Sequence, residues 1–183
     1  MRIEEEIKLD YSDVLFRPKR STLKSRKDVD LNRKYIFKYS KSSWKGTPII
    51  ASNMDGVGEI GVAKKLTSHK VMTALTKQHT IDQINSLYKI SDCHKTVALS
   101  CGTSSESYNR LTRILQKFPK FEFICIDVAN GYSENFSHFV SSVRKKYPKK
   151  TIIAGNVVTA DMTQELILSG ADIVKVGIGP GSV

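Results

Sequence analysis

The feature that most constrains the fold is a unit that recurs along the chain from residue 48 onward. In each repeat an apolar, β-rich run leads into a short loop of small polar residues, and an amphipathic helical stretch follows. The runs begin about 20 to 30 residues apart: PIIASNM, VMTALTK, TVALSCG, FEFICIDVA, TIIAGNVV and DIVKVGIG. This spacing is typical of βα units. The sequence therefore predicts an α/β protein with six strands.

The runs also indicate how the strands are arranged. They are almost continuously apolar, which is typical of parallel strands that are covered on both faces. Between them, Thr80 and Gln83 form a capping-box pattern, and Gly170 stands where a helical stretch should end. One predicted helix face gathers four apolar residues: Leu111, Ile114, Leu115 and Phe118.

Two architectures fit six such units, an open doubly wound sheet and a closed (β/α)8 TIM barrel. No G-x-G-x-x-G motif follows the first strand, which disfavours the usual dinucleotide-binding form of the open sheet. A barrel typically takes about 250 residues. We therefore expect residues 1–183 to form a single catalytic barrel domain that is incomplete at its C-terminal end and covers about the first six strands.

Composition narrows the classes of function. Hydrophobic residues make up 40% and charged residues 26% of the chain, as in ordinary globular proteins. The N-terminus lacks the apolar core of a signal peptide, so we expect a cytoplasmic protein without a membrane partner. The net charge of +11 is consistent with a nucleic acid as a binding partner. The densest basic stretch, residues 17–27, lacks interleaved aromatics or glycines, so a solvated surface is favoured.

The cysteines give little direct indication of chemistry. Cys93, Cys101 and Cys125 are odd in number and never have C-x-x-C spacing, so neither a disulfide framework nor a zinc site is indicated. Cys125 lies within an apolar run and is interpreted as a small buried residue. Cys101 follows a predicted strand, where either a nucleophile or a half-buried thiol is consistent with the sequence.

Polar residues follow every predicted strand, at the end where TIM barrels carry their catalytic groups. In chain order they are Asn53 to Asp55, Lys77, Ser100 with Gly102, Asp127 with Asn130, Asn156, and the stretch 177–182. Taken singly, most are also common turn formers. Asp127 is different because a carboxylate beside FICI needs a partner, such as a ligand hydroxyl or a cation. Lys77 could supply that cation or contact a ligand.

The loop GIGPGS after the sixth run is rich in glycine, which adopts positive φ angles freely. Its carbonyl groups could face inward and coordinate a monovalent cation, and its amides could meet an anionic ligand. The loop is therefore predicted to be part of a binding site.

Several long stretches resemble the GMP reductase family, within the group that contains IMP dehydrogenase. They are DVLFRPKRSTLKSR, PIIASNMDGVG, FICIDVANGYSENF, AGNVVTADM and QELILSGADIVKVGIGPGSV, and the similarity runs over essentially the whole chain. IMP dehydrogenases usually insert two CBS modules after the second strand and helix. Here only about twenty residues join Lys77 to TVALSCG, so no CBS insert is present and the resemblance favours the reductases.

The resemblance implies NADPH-dependent reductive deamination of GMP to IMP and ammonia. In that family a cysteine thiolate attacks the purine, ammonia leaves, and hydride from NADPH resolves the adduct. The cysteine directly follows the GPGSV stretch, so it is expected after Val183 and no catalytic residue is assigned within the chain. A potassium ion and a homotetramer are also implied.

The resemblance assigns roles to ten residues. Substrate binding falls to Ser52, Met54 and Ser182. Cofactor binding falls to Lys77, Ser100, Gly102, Asp127 and Asn156. Backbone carbonyls for potassium fall to Gly179 and Gly181. The chain departs from the family pattern at Thr76 and Gln78, where histidines are usual, and at Gly56, where threonine is usual.

Two alternative functions stay open at this point. One is IMP dehydrogenase-type oxidation of IMP with NAD. The other is a basic nucleotide- or RNA-binding protein without catalysis, which the charge of +11 favours and the polar residues at the strand ends oppose.

Overall fold

The computed structural model describes Ile7, Leu9 and residues 11–177, and it divides the chain into two units after Asp30. Within the first unit, short 3-10 helices span Tyr11–Asp13 and Arg26–Asp28. Ser25 caps the second of these, because its hydroxyl accepts a hydrogen bond from the Lys27 amide at 3.2 Å. The basic stretch 17–27 is exposed, as expected for a solvated surface.

The second unit begins with an antiparallel hairpin of β1, Arg33–Ile36, and β2, Ser43–Gly46. The sequence did not predict this hairpin. Trp44 of β2 and Phe37, the residue directly after β1, are buried against the main sheet. The Phe37 ring meets Phe123 edge-on, with ring centroids 5.7 Å apart.

A six-stranded parallel sheet follows, and its strands lie side by side in the order of the sequence. They are β3 Ile50–Ala51, β4 Met72–Ala74, β5 Val97–Cys101, β6 Phe123–Asp127, β7 Thr151–Val157 and β8 Ile173–Val176. All six predicted strands are confirmed. A doubly wound sheet reverses its strand order at a switch point, so the uninterrupted order favours the barrel arrangement.

Six helices connect or follow these strands: α1 Ile60–Ser68, α2 Ile81–Tyr88, α3 Cys93–Thr96, α4 Ser105–Lys117, α5 Glu134–Lys146 and α6 Ala160–Leu168. The predicted capping box is confirmed at α2, where the Thr80 hydroxyl accepts from the Gln83 amide at 3.2 Å. Gly170 has φ +110° just after α6, as its predicted role at a helix end requires. In the part of the chain that the structure describes, no helix is long and apolar enough to span a bilayer.

Two apolar layers hold the sheet. On one side it packs against the helices, and the predicted apolar face of α4 is buried there together with Leu99 and Ile124. The strand residues that alternate with Leu99 and Ile124 point to the other side, where they pack with the hairpin in a smaller cluster. Its strand residues are Met72, Ala74, Ala98, Phe123, Cys125 and Ile153. This second side is the interior of the barrel.

The sheet is strongly curled. In a flat sheet, five inter-strand steps of about 4.8 Å would separate β3 from β8 by roughly 24 Å. Instead, the Lys175 amino group on β8 lies 2.9 Å from Oδ1 of Asn53, which follows β3. A single side chain thus bridges the two edge strands across the concave face. The architecture is a partial TIM barrel.

Candidate functional site

Four polar side chains meet at the carboxyl ends of the strands. Asp127 ends β6, Lys77 follows β4, Lys175 lies on β8, and Asn53 follows β3. The Lys175 ammonium donates to Oδ1 of Asp127 and, at 2.9 Å, to Oδ1 of Asn53. The Lys77 ammonium donates to the backbone oxygen of Asp127 at 3.0 Å and lies 3.8 Å from its Oδ2. We call these four residues the strand-end cluster.

Strand alternation explains why Asp127 points inward. Phe123 and Cys125 of β6 belong to the interior apolar cluster, and successive side chains of a strand alternate between its faces. Asp127 is two residues beyond Cys125, so it falls on the same interior side. The same alternation carries Lys175 into the interior two residues after Ile173, which packs against that cluster.

Gly155 of β7 makes room for Lys175. A Cβ atom at Gly155 would lie 2.5 Å from the Cβ of Lys175 and 2.6 Å from its backbone oxygen, which is closer than real Cβ contacts. Lys175 is the register partner of Gly155 in the neighbouring strand. The glycine is therefore required for the close approach of the two strands beside the cluster.

The environment of Asp127 favours its charged form. Burial alone would raise the pKa of this carboxyl, but the hydrogen bond and charge of Lys175 oppose burial, with further contributions from Asn53 and Lys77. The net result is a pKa below the ordinary value. Asp127 is thus a carboxylate at neutral pH, and its side chain remains 23% exposed toward a ligand.

Ser100, near the end of β5, and Gly102, just after it, lie beside the cluster. Ser100 pairs in register with Cys125 on the interior side. Its hydroxyl oxygen is buried beside the Cys125 thiol. The Gly102 amide donates to the Ser107 hydroxyl at 2.8 Å, and a Cβ at Gly102 would lie 3.5 Å from the Lys77 amino group.

Asn156 joins the end of β7 to the segment after β8. Its Nδ2 donates to the backbone oxygen of Gly177 at 2.8 Å. Its Oδ1 is buried, and among residues 11–177 it has no hydrogen-bond partner. Buried polar atoms are rarely left without a partner. Asn156 therefore offers an unused acceptor that suits a polar ligand.

The predicted substrate and potassium residues are only partly within the described chain. Ser52 is half-buried and Met54 is exposed, and they flank Asn53 of the strand-end cluster. The backbone oxygen of Met54 accepts hydrogen bonds from the amides of Val57 and Gly58 at 3.0 and 2.7 Å. Ser182, Gly179 and Gly181 lie outside the described residues. Their assigned roles stay predictions.

Sequence reasoning missed Lys175, which is the closest cation to the Asp127 carboxylate. The signal was available, since a lysine within the apolar run DIVKV lies two residues from Ile173 and therefore on the same face of the strand. Its partners could not be read from the sequence, because Asp127 and Asn53 are 48 and 122 residues away.

His79 was also missed. It is buried, and its Nε2 atom lies 2.9 Å from the backbone oxygen of Gly58 and 3.0 Å from the Thr76 hydroxyl. Glu59 is 3.7 Å from the same nitrogen. The histidine therefore ties the loop after β3 to the loop that carries Lys77.

The thiols of Cys101 and Cys125 are not activated. Cys101 and Cys125 are both buried, and burial raises the pKa of Cys101 to about 12 and that of Cys125 to about 11. A thiol nucleophile needs a lowered pKa and access to its substrate. Of the two interpretations of Cys101, the structure supports the inert buried thiol.

Metal binding by side chains is not indicated in the described residues, which contain no group of three or more His, Cys, Asp or Glu arranged to hold an ion. The donor set of the cluster is of another kind. A carboxylate accepts hydrogen bonds from ligand hydroxyls, and an amide oxygen accepts from a ligand carboxamide. Asp127 and Asn156 can therefore accept hydrogen bonds from the donor groups of a polar ligand.

Known proteins with similar sequences point in the same direction. The chain is 52% identical over 184 residues to the GMP reductase of Caenorhabditis elegans, which covers 100% of this chain and 51% of the relative. It is 55% identical over 185 residues to the GMP reductases of Klebsiella pneumoniae subsp. pneumoniae and Escherichia coli O1:K1, covering 100% of this chain and 53% of each relative. The chain thus spans about half the length of the curated relatives it matches.

The family is shown by a match that is nearly as long as the chain. The sequence model described as "IMP dehydrogenase / GMP reductase domain" matches residues 8–183. The sequential strand order and the strand-end cluster agree with the barrel that the resemblance implied. The chain belongs to the IMP dehydrogenase / GMP reductase family.

Proposed function

We propose that the full-length protein is a GMP reductase, which converts GMP and NADPH to IMP, ammonia and NADP+. The observation that carries the proposal is the similarity to curated GMP reductases along the whole chain, at 52% and 55% identity. In this reaction the 2-amino group of the purine leaves as ammonia and a hydride takes its place. NADPH supplies the hydride when it is bound.

The strand-end cluster and its neighbours are proposed to hold the cofactor. Asp127 is an ionised, partly exposed carboxylate, so it can accept hydrogen bonds from ribose hydroxyls. The unpartnered Oδ1 of Asn156 suits the carboxamide region, and the Ser100 hydroxyl is proposed to lie near it. Lys77 and Gly102 border the same space, where the lysine can contact the ligand and the glycine leaves room for it. These residues orient the cofactor, and orientation is a large source of rate in such reactions.

The substrate is proposed to lie next to this site. Ser52 and Met54 flank Asn53, whose side chain is part of the cluster, so a purine nucleotide held by them would approach the cofactor. Ser182 is proposed to help hold the phosphate. The net charge of +11 favours anionic ligands such as GMP and IMP in general.

The covalent part of the reaction is proposed to use a cysteine that directly follows Val183 in the sequence of the full-length protein. Its thiolate would bond to the purine C2, ammonia would depart, and hydride addition followed by loss of the thiolate would give IMP. Potassium is proposed to bind the backbone carbonyls of Gly179 and Gly181. None of these groups lies within the described residues.

Three further expectations complete the proposal. The domain is a single catalytic barrel without a CBS insert, since about twenty residues join Lys77 to β5. The enzyme is a homotetramer. It acts in the cytoplasm on GMP and IMP, with neither nucleic acid nor a membrane as a partner.

The test is turnover by the full-length protein with two substrate pairs, GMP with NADPH and IMP with NAD. Absorbance of the reduced cofactor gives the rate, and chromatography identifies the purine product. We expect NADPH consumption that depends on GMP and yields equal amounts of IMP. Turnover only with IMP and NAD would refute the reductase proposal. Salt-dependent RNA binding without saturable GMP binding would favour the non-catalytic alternative.

A further inference from the structure

We propose that Lys175 is a positioning residue, which fixes the Asp127 carboxylate for the cofactor and ties it to the Asn53 loop of the substrate side. This inference rests on the proposed function and deepens it. Lys175 itself does not need to touch the cofactor. It acts by holding one oxygen of Asp127, so that the other oxygen faces the ligand.

The contacts of Lys175 carry the first step. Its ammonium has three N–H donors, and two of them are directed at Oδ1 of Asp127 and at Oδ1 of Asn53. Both acceptors belong to other strands or loops. Because the side chain is only 26% exposed and passes Gly155 at close range, it has little freedom to adopt another position. The contact fixes the direction of the carboxylate.

Lys77 cannot do the same work from its place. Its ammonium donates to the backbone oxygen of Asp127, and it lies 3.8 Å from Oδ2, beyond a good hydrogen bond. Its side chain is 41% exposed, compared with 26% for Lys175. The two lysines therefore differ in their contacts: Lys175 holds the carboxylate from within the barrel, and the more exposed Lys77 holds the backbone oxygen of the same residue.

Charge gives the second step. The groups that face Asp127 are Lys175 from β8 and Lys77 and Asn53 from the loops after β4 and β3; the buried thiols of Cys125 and Cys101 are near enough to be influenced by its charge. Burial is the largest influence on the Asp127 pKa and raises it, while Lys175 is the largest opposing one. Replacing Lys175 with a neutral residue removes the largest influence that opposes burial, so the pKa of the carboxyl should rise. A protonated carboxyl is a poorer acceptor for ribose hydroxyls.

The test compares Lys175→Met and Lys175→Arg with the wild type in the full-length protein. The readouts are KM for NADPH, KM for GMP and kcat, measured between about pH 6 and about pH 9. Lys145→Met on the exposed side of α5 is the matched control for loss of a lysine. We expect Lys175→Met to raise KM for NADPH roughly tenfold or more, as loss of a charge-assisted hydrogen bond predicts.

Three results would support positioning over a merely structural role. The NADPH defect of Lys175→Met grows as the pH falls, Lys175→Arg restores most of the affinity, and KM for GMP changes much less than KM for NADPH. In an Asp127→Asn background, Lys175→Met should add little further NADPH defect, because the residue it positions is already altered.

Other outcomes overturn the inference. A defect that is the same at every pH, that affects both substrates equally, or that adds in full to Asp127→Asn would show that Lys175 acts only through general stability. A wild-type KM in Lys175→Met would also refute it. Failure of the wild type to consume NADPH with GMP is a separate result, which refutes the proposed function itself. If Lys175→Met does not fold, the inference is tested with Lys175→Arg alone. We then expect a KM for NADPH close to that of the wild type across the pH range. A KM for NADPH that differs from the wild-type value at every pH counts against the inference.

Discussion

At the scale of single residues, Asp127 links the sequence to the proposed chemistry. A carboxylate directly after FICI was expected to need a partner, and the structure provides Lys175, Asn53 and Lys77. The requirement could be derived from the sequence because burying an unpaired charge is costly. The sequence does not show that Lys175 is the main partner, because the side chains of β6 and β8 meet inside the barrel only in the folded sheet.

The protonation of Asp127 predicts how acid affects stability. Because its pKa in the folded protein lies below the ordinary value of about 3.9, its stabilising contribution is complete above that value and is lost as the pH falls through the lower folded pKa. The difference in the free energy of unfolding between wild type and Asp127→Asn should therefore shrink below about pH 4. Urea denaturation of the full-length protein at several pH values measures it. A difference that stays constant into the acid range would contradict the assignment.

The buried thiols give a second prediction at this scale. With pKa values of about 12 and about 11, Cys101 and Cys125 are almost entirely protonated at neutral pH and are shielded from solvent. We expect iodoacetamide to leave both unmodified in the native protein and to alkylate both after unfolding in urea. Peptide mass spectrometry identifies the modified sites. Rapid native alkylation of Cys101 would revive its interpretation as a nucleophile.

At the scale of elements, one ion pair ties α5 to three other parts of the second unit. Arg144 of α5 and Asp172, which precedes β8, approach to 2.5 Å, and the Asp172 side chain is fully buried. The same carboxylate accepts from the backbone amides of Tyr39 at 2.8 Å and Ile152 at 3.1 Å. The pair thus joins the hairpin turn, β7 and the start of β8, which is the strand that carries Lys175.

Removing Arg144 should be costly, because it leaves a buried carboxylate without its cation. We expect Arg144→Met to lower the free energy of unfolding by about 3 to 5 kcal/mol. Arg113→Met on the exposed side of α4 is the control and should change it by about 0.5 kcal/mol or less. Chemical denaturation of both variants in the full-length protein compares them. Equal effects of the two substitutions would show that the ion pair contributes nothing specific.

The elements also show why some parts of the fold could be predicted and others could not. The capping box at Thr80 and the helix end at Gly170 depend on residues a few positions apart, so local sequence was sufficient. The β1–β2 hairpin escaped prediction because RKYI and SWKG are short and rich in polar residues. The two strands are held by their antiparallel pairing and by the packing of Trp44 against the main sheet, which local sequence does not show.

At the scale of the whole molecule, the strand order and the curl of the sheet bring the residues of the candidate site together. Sequential order brings all carboxyl ends to one side, and curling brings β3 within reach of β8 through Lys175. The period of the apolar runs predicted six βα units, and the missing G-x-G-x-x-G motif favoured the barrel, in which such strands follow one another in order. The chain spans about half the length of its curated relatives.

The most direct measurement is a crystal structure of the full-length protein with GMP or IMP and NADP+ bound. The account predicts that the nicotinamide ribose lies within about 3 Å of the Asp127 carboxylate, with Lys175 on the other carboxylate oxygen and the purine next to Ser52 and Met54. Nucleotides bound at the opposite ends of the strands, with no contact to Asp127, Ser100 or Asn156, would contradict it.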